Sequence, residues 1–175
     1  MDLGLLILRL VVGALFIGHG TQKLFGWFGG HGPSGTGGFL RSLGFQPGRP
    51  FAVVTGLAEA GGGLLLGLGL LTPLGAAAII GVMATATLAV HAPNGIWNQN
   101  GGVEFTVTNI AIAQALAFVG PGAWSLDAAL GLDLDGTWFG LGALALGGVA
   151  ALLTLTLRRH PEVGQSEPVA RPEAA

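Results

Sequence analysis

The sequence predicts an all-α membrane protein. Three observations carry this: 51% of the 175 residues are hydrophobic and only 9% are charged, five apolar runs are each long enough to cross a bilayer, and many of the 33 glycines sit inside those runs. Soluble domains carry about 25% charged residues, and a small soluble domain leaves much of its surface in water. This chain has too little polar surface for that. The glycines follow no collagen period, and small residues inside apolar helices let membrane helices approach closely. A formal net charge of −2 without a basic stripe argues against a nucleic-acid partner. The absence of cysteine excludes a disulfide framework, a thiol nucleophile and a thiolate metal site.

A membrane helix needs roughly 20 mostly apolar residues to cross about 30 Å of hydrocarbon. The first span runs from about Leu3 to Phe25 and contains Arg9, His19 and Lys23. A signal peptide would have a basic start, a short core and an A-x-A cleavage site; here Arg9 lies within the apolar stretch and no such site follows. The second span, Phe51 to Leu71, holds a single charge, Glu59. The third runs from Pro73 to about Val90, with Thr72 as its expected cap and Pro73 in the first helical position, where the missing N–H does little harm. The fourth covers Val103 to Val119, and the fifth Trp138 to Leu157, uncharged until Arg158 and Arg159.

Almost nothing joins the second and third spans, so they form an antiparallel helical hairpin. The Gly26–Pro50 loop carries Trp27 and Phe28, suited to the interfacial aromatic belt, and Leu40, Arg41, Leu43 and Phe45 suggest a short interfacial helix ending near Gly44. His91 to Gly102 is polar and rich in Asn and Gly, and the connection before the last span carries Asp127, Asp133 and Asp135. Lys23, Arg41, Arg49, Arg158 and Arg159 gather on one side of the membrane. By the positive-inside rule that side, with the Gly26–Pro50 loop and the C-terminus, is cytoplasmic.

The rise of 1.5 Å per residue sets the depths of the antiparallel spans. Glu59 comes level with Phe16 to His19, about one turn inside Lys23. His91 ends the third span on that side and Glu104 begins the fourth. One face thus collects His19, Lys23, Glu59, His91, Asn100 and Glu104 as a candidate proton relay or ligand-binding cluster. Ionisable groups within a membrane are expensive and pair in the bundle interior. Glu59 reads either as a proton-exchanging or ligand-binding carboxylate, or as a structural partner of Lys23 or His19. Lys23 reads as a snorkelling anchor or as that partner. His19 reads as an interior hydrogen-bonded ring or a proton carrier. No HxxxH or ExxH spacing is present, so no metal site is expected. Glu104 complements a helix dipole, Arg9 snorkels to the opposite face, and Asn109 and Gln114 bond between helices. Gly63-xxx-Gly67 and Ala77-xxx-Gly81 mark close helix contacts.

The run His19-Gly20-Thr21-Gln22-Lys23-Leu24-Phe25-Gly26-Trp27-Phe28-Gly29-Gly30, preceded by Leu8-Arg9-Leu10, resembles the DoxX family of small bacterial membrane proteins. The likeness continues in Gly56-Leu57-Ala58-Glu59-Ala60-Gly61-Gly62, Gly69-Leu70-Leu71-Thr72-Pro73, His91-Ala92-Pro93-Asn94-Gly95, Asn100-Gly101-Gly102-Val103-Glu104 and Gly120-Pro121-Gly122-Ala123-Trp124-Ser125-Leu126-Asp127. The resemblance implies a transmembrane four-helix bundle over residues 1–130; residues 131–158 read from their apolar run as an additional fifth C-terminal span outside that core, and 159–175, with prolines and alternating charges, as a disordered tail. It implies a multi-pass protein of the cell inner (plasma) membrane, with the lipid bilayer as its first partner. It also links the chain to membrane redox and sulfur-stress systems and to quinone as a cofactor. The catalytic residues stay unknown. Three functions follow as alternatives: a quinone-handling subunit of a redox complex fed by a soluble redox or sulfur-metabolism partner, a non-enzymatic scaffold that recruits such enzymes, and a small-solute transporter coupled through Glu59.

Overall fold

The computed structural model describes residues 2–159, and the tail expected to be disordered lies, from His160 onward, outside the described residues. The chain runs through α1 (Asp2–Phe25), a 3₁₀ turn (Trp27–Gly29), α2 (Gly32–Ser42), α3 (Gly48–Leu68) and α4 (Thr72–Ala86). A π-helical turn (Thr87–His91) extends α4, and short 3₁₀ turns lead to α5 (Glu104–Val119), α6 (Leu126–Ala129) and α7 (Thr137–Thr156). Among the described residues the one strand-like pairing is an isolated bridge between Phe45 and Arg158.

Four helical stretches are long and apolar enough to cross a membrane: Asp2–Phe25, Gly48–Leu68, Thr72–Asn94 and Thr137–Thr156. The fourth expected span is present as α5, but its 16 residues reach only about 24 Å. The short interfacial helix expected before Gly44 is α2, which packs against α3 and α1.

Glycine sets which helices touch. A Cβ on Gly13 would lie 2.6 Å from the Gly63 carbonyl oxygen and 2.8 Å from Gly67 Cα, and one on Gly63 would lie 2.7 Å from the Gly13 oxygen. α1 and α3 therefore meet backbone to backbone. Where lipid is as apolar as leucine, such van der Waals contact replaces hydrophobic drive. α4 and α7 meet the same way, with a Cβ on Gly147 falling 2.8 Å from the Ala77 oxygen. Between these seams Val12, Phe16, Leu66, Ile79, Ile80 and Leu116 fill the interior. α1 turns Ile7, Leu10 and Leu15 outward, and α7 turns Leu146, Val149 and Leu153 outward.

A polar lock holds the end of the bundle opposite Lys23. Arg9 is 1% exposed, so it does not snorkel as expected. Its Nη1 donates to the carbonyls of Leu66 and Gly67 (3.4 and 3.0 Å), at the C-terminal end of α3, and its Nη2 donates to Trp124 O at 2.6 Å. These carbonyls include orphans that a helix end leaves open. Asp127, also 1% exposed, serves the next helix. Its carboxylate accepts the Leu71 N–H (2.7 Å), the Thr72 N–H (3.1 Å) and the Thr72 hydroxyl (2.8 Å). Thr72 is thus not the cap of α4: α4 begins at Thr72, whose hydroxyl donates to the carboxylate that caps the helix from another part of the chain. The α3–α4 turn closes through Gly69 (φ +61°) and Leu71 (φ +45°).

At the other end, α7 is tied back to the α2–α3 linker. Arg158 Nε donates to Leu43 O at 2.6 Å, and the Arg159 N–H donates to Gly44 O at 2.8 Å. Gly44 (φ +94°) faces the Arg159 backbone too closely to admit a Cβ.

Candidate functional site

The only salt bridge among the described residues joins Lys23 Nζ to Glu59 Oε2 at 2.5 Å. α3 starts three residues earlier than the sequence suggests, at Gly48, so Glu59 stands eleven residues along it, about 16 Å from its start. The Lys23 backbone lies near the end of α1, but helical side chains lean toward the N-terminus of their helix. Here that lean carries the ammonium inward across the one-turn offset to the carboxylate. Gly20 makes the approach possible, because a Cβ there would come 2.5 Å from the Gly56 oxygen. Glu59 is 3% exposed. Its second oxygen, Oε1, accepts no hydrogen bond among the described residues yet is not sealed off.

Both Lys23 and Glu59 line a cavity of about 710 Å³ between α1, α2, α3, α4, α5 and α7. Its walls are mainly apolar, with Phe39, Phe51, Val54 and Met83 among them, and His19 and His91 also reach it. His19 sits between Phe16 and Phe105, with ring centroids 6.2 and 5.9 Å away, and neither of its nitrogens has a hydrogen-bond partner among the described residues. His91 ends the π-helical turn, a one-residue irregularity that recurs at functional sites. Its Nδ1 lies 2.6 Å from Gly101 O. A carbonyl only accepts, so Nδ1 carries the proton there. Thr87, in the same turn, joins Thr106 of α5 hydroxyl to hydroxyl at 2.7 Å.

Of the six residues singled out by sequence, four share this cavity: His19, Lys23, Glu59 and His91. Asn100 and Glu104 do not. Both are exposed, and Glu104 Oε2 accepts the Asn98 N–H at 2.9 Å, which folds the loop onto the start of α5. Gln114 does bond between helices, donating to Gly140 O of α7 at 2.8 Å. Asn109 instead donates to Phe105 O of its own helix at 2.8 Å. Sequence reading missed the walls contributed by α2 and α7, where Leu40, Leu43, Thr154 and Leu157 face the same space. It also missed Asp127. The signal for Asp127 was available, since an arginine two turns inside a span requires acceptors and an anion on its own side. Among the described residues no three His, Asp or Glu side chains gather as metal ligands.

A buried ammonium–carboxylate pair with an accessible carboxylate oxygen, two imidazoles and an apolar surround can hold a neutral amphiphile and exchange protons with it. Cavities of roughly 300–1,000 Å³ suit small ligands. The family comparison adds identity. The DoxX family model matches residues 4–92, a stretch that holds all four cavity groups but not Asn100, Glu104 or α7. No curated protein and no solved structure matches the chain. With half of the chain matched and four helices fit to cross a bilayer, this is a multi-pass membrane protein that belongs to the DoxX family.

Proposed function

We propose that the chain is the quinone-handling membrane subunit of a redox complex in the cell inner (plasma) membrane. The observation that carries this reading is the apolar cavity on which Lys23, Glu59, His19 and His91 converge. A quinone fits that donor set: its ring and isoprenoid tail suit the apolar walls, and its two oxygens suit the polar groups. When bound, it supplies two-electron, two-proton chemistry in a lipid-soluble form. The chain's own residues bind and orient the head, exclude water, and hold or move protons. Glu59 Oε1 is the acceptor, Lys23 holds the carboxylate in place, and His19 and His91 line the route toward the Lys23 side.

In this reading α5 crosses as a fifth, shortest span, residues 1–130 form the family core, and α7 is an addition to it. The Gly26–Pro50 loop and the Arg158 end face the cytoplasm, where the Lys and Arg residues gather. Electrons come from a soluble redox or sulfur-metabolism partner at that face.

Protein purified in native-lipid nanodiscs tests the proposal by extraction of co-purified quinone and by titration with a short-chain quinone. The wild type is expected to retain quinone, and Glu59→Gln to bind its reduced, hydroxyl-bearing form about tenfold more weakly, the loss of one hydrogen bond to a charged group. No retained quinone, no titratable binding and no effect of the substitution would discard it. Crosslinking in membranes tests the partner; recovery of lipid and self-contacts alone removes that part.

A further inference from the structure

We infer that the cavity selects the reduced, hydroxyl-bearing form of its ligand, and that His91 Nε2 is a specificity-determining acceptor. The inference rests on the quinone reading above and names the redox state that the site holds more tightly.

His91 Nδ1 donates its hydrogen to Gly101 O at 2.6 Å. The neutral ring then presents Nε2 as an acceptor with no hydrogen of its own. No donor reaches it among the described residues, and His91 lines the cavity. Glu59 is the second such group. Oε2 is taken by Lys23, while Oε1 is unpartnered and accessible. Both acceptors are open rather than sealed, so a cavity ligand that brings O–H groups can satisfy them.

The other polar groups on the wall do not alter this choice. Lys23 has ammonium hydrogens beyond the one given to Glu59, His19 brings one N–H, and the Thr36 and Thr55 hydroxyls also line the space. These can donate to a quinone carbonyl. They can donate equally to a hydroquinone oxygen, because a hydroxyl both donates and accepts whereas a carbonyl only accepts. Donors on the wall therefore serve both redox forms, and the acceptors serve one. His91 and Glu59 decide the preference between them.

The test uses the full chain in nanodiscs at pH 8, above the ordinary histidine range. Three probes of equal tail length are titrated: a decyl-quinone, the decyl-hydroquinone kept reduced under argon, and the dimethyl ether of that hydroquinone. The hydroquinone is expected to bind about tenfold more tightly than the quinone, the equivalent of one well-made hydrogen bond. The dimethyl ether, with the same ring and no O–H, is expected to fall to the quinone level. His91→Asn keeps an amide N–H where Nδ1 donates to Gly101 and removes Nε2, so it is expected to erase most of the preference between the two redox forms; its thermal unfolding verifies the fold. Equal affinity for both redox forms overturns this inference and leaves the quinone reading standing. A preference unchanged in His91→Asn overturns the assignment to His91. Failure of all three probes to bind overturns the quinone reading, and this inference with it.

Discussion

Asp127→Ala removes the carboxylate that begins α4, and the structure sets the size of the effect. The substitution deletes three accepted hydrogen bonds, from the Leu71 N–H, the Thr72 N–H and the Thr72 hydroxyl. Thr72 is 0% exposed, so its N–H has no route to water, and a sealed, unsatisfied donor costs roughly 1–3 kcal/mol. Leu71 is partly exposed and the hydroxyl can rotate, so each of those bonds is worth nearer the roughly 0.6 kcal/mol typical of side-chain bonds in membrane proteins. The sum is a loss of about 2–4 kcal/mol. Leu71 also holds φ +45°, a left-handed conformation unfavourable for a side-chain-bearing residue, and its N–H is one of those Asp127 accepts. Reversible unfolding in bicelles with increasing SDS measures the loss. Asp133→Ala and Asp135→Ala serve as controls; both residues are exposed and are expected to change stability by less than about 0.5 kcal/mol. A loss for Asp127→Ala no larger than theirs would show that the lock does not hold the α3–α4 turn.

The remaining predictions concern the ion pair and the glycine seam. Lys23→Met strands a 3%-exposed carboxylate and is expected to destabilise by roughly 3–5 kcal/mol, whereas Lys23→Met with Glu59→Leu recovers most of that; a double-mutant cycle in the same unfolding assay reads the coupling, and strict additivity refutes it. Gly13→Val places a Cβ against the Gly63 and Gly67 backbones, which cannot yield as a side chain does. A loss of at least about 1–3 kcal/mol follows, against little change for Gly18→Ala, whose Cβ meets nothing within 4 Å.

The spans were legible because lipid imposes a simple rule on length and polarity, and the glycine pairs were legible because small residues have few other reasons to recur in apolar helices. Glu59, Lys23, His19 and His91 were gathered from depth alone, since antiparallel helices of known rise bring equal depths together. The same reasoning misplaced Asn100 and Glu104, because depth ignores direction around the helix axis and loop residues follow their own hydrogen bonds. Arg9 was misread for a related cause. Its stem is long enough to snorkel, but three backbone carbonyls hold its two terminal nitrogens inside. The contribution of α2 and α7 to the cavity had no sequence signal, being made by aliphatic residues that look the same whether they face lipid or a ligand.

The tie between Arg158 and Leu43 has a consequence for the order in which the protein is made. Its two ends lie 115 positions apart. At a ribosomal rate of about 5–20 residues per second the later end emerges roughly 6–23 s after the earlier one. During that interval the linker after α2 has neither its clasp nor the wall that α7 provides. The compartment around Glu59 is thus completed only after α7 has left the ribosome, and a nascent chain stalled before Thr137 carries its charged pair in an unfinished chamber.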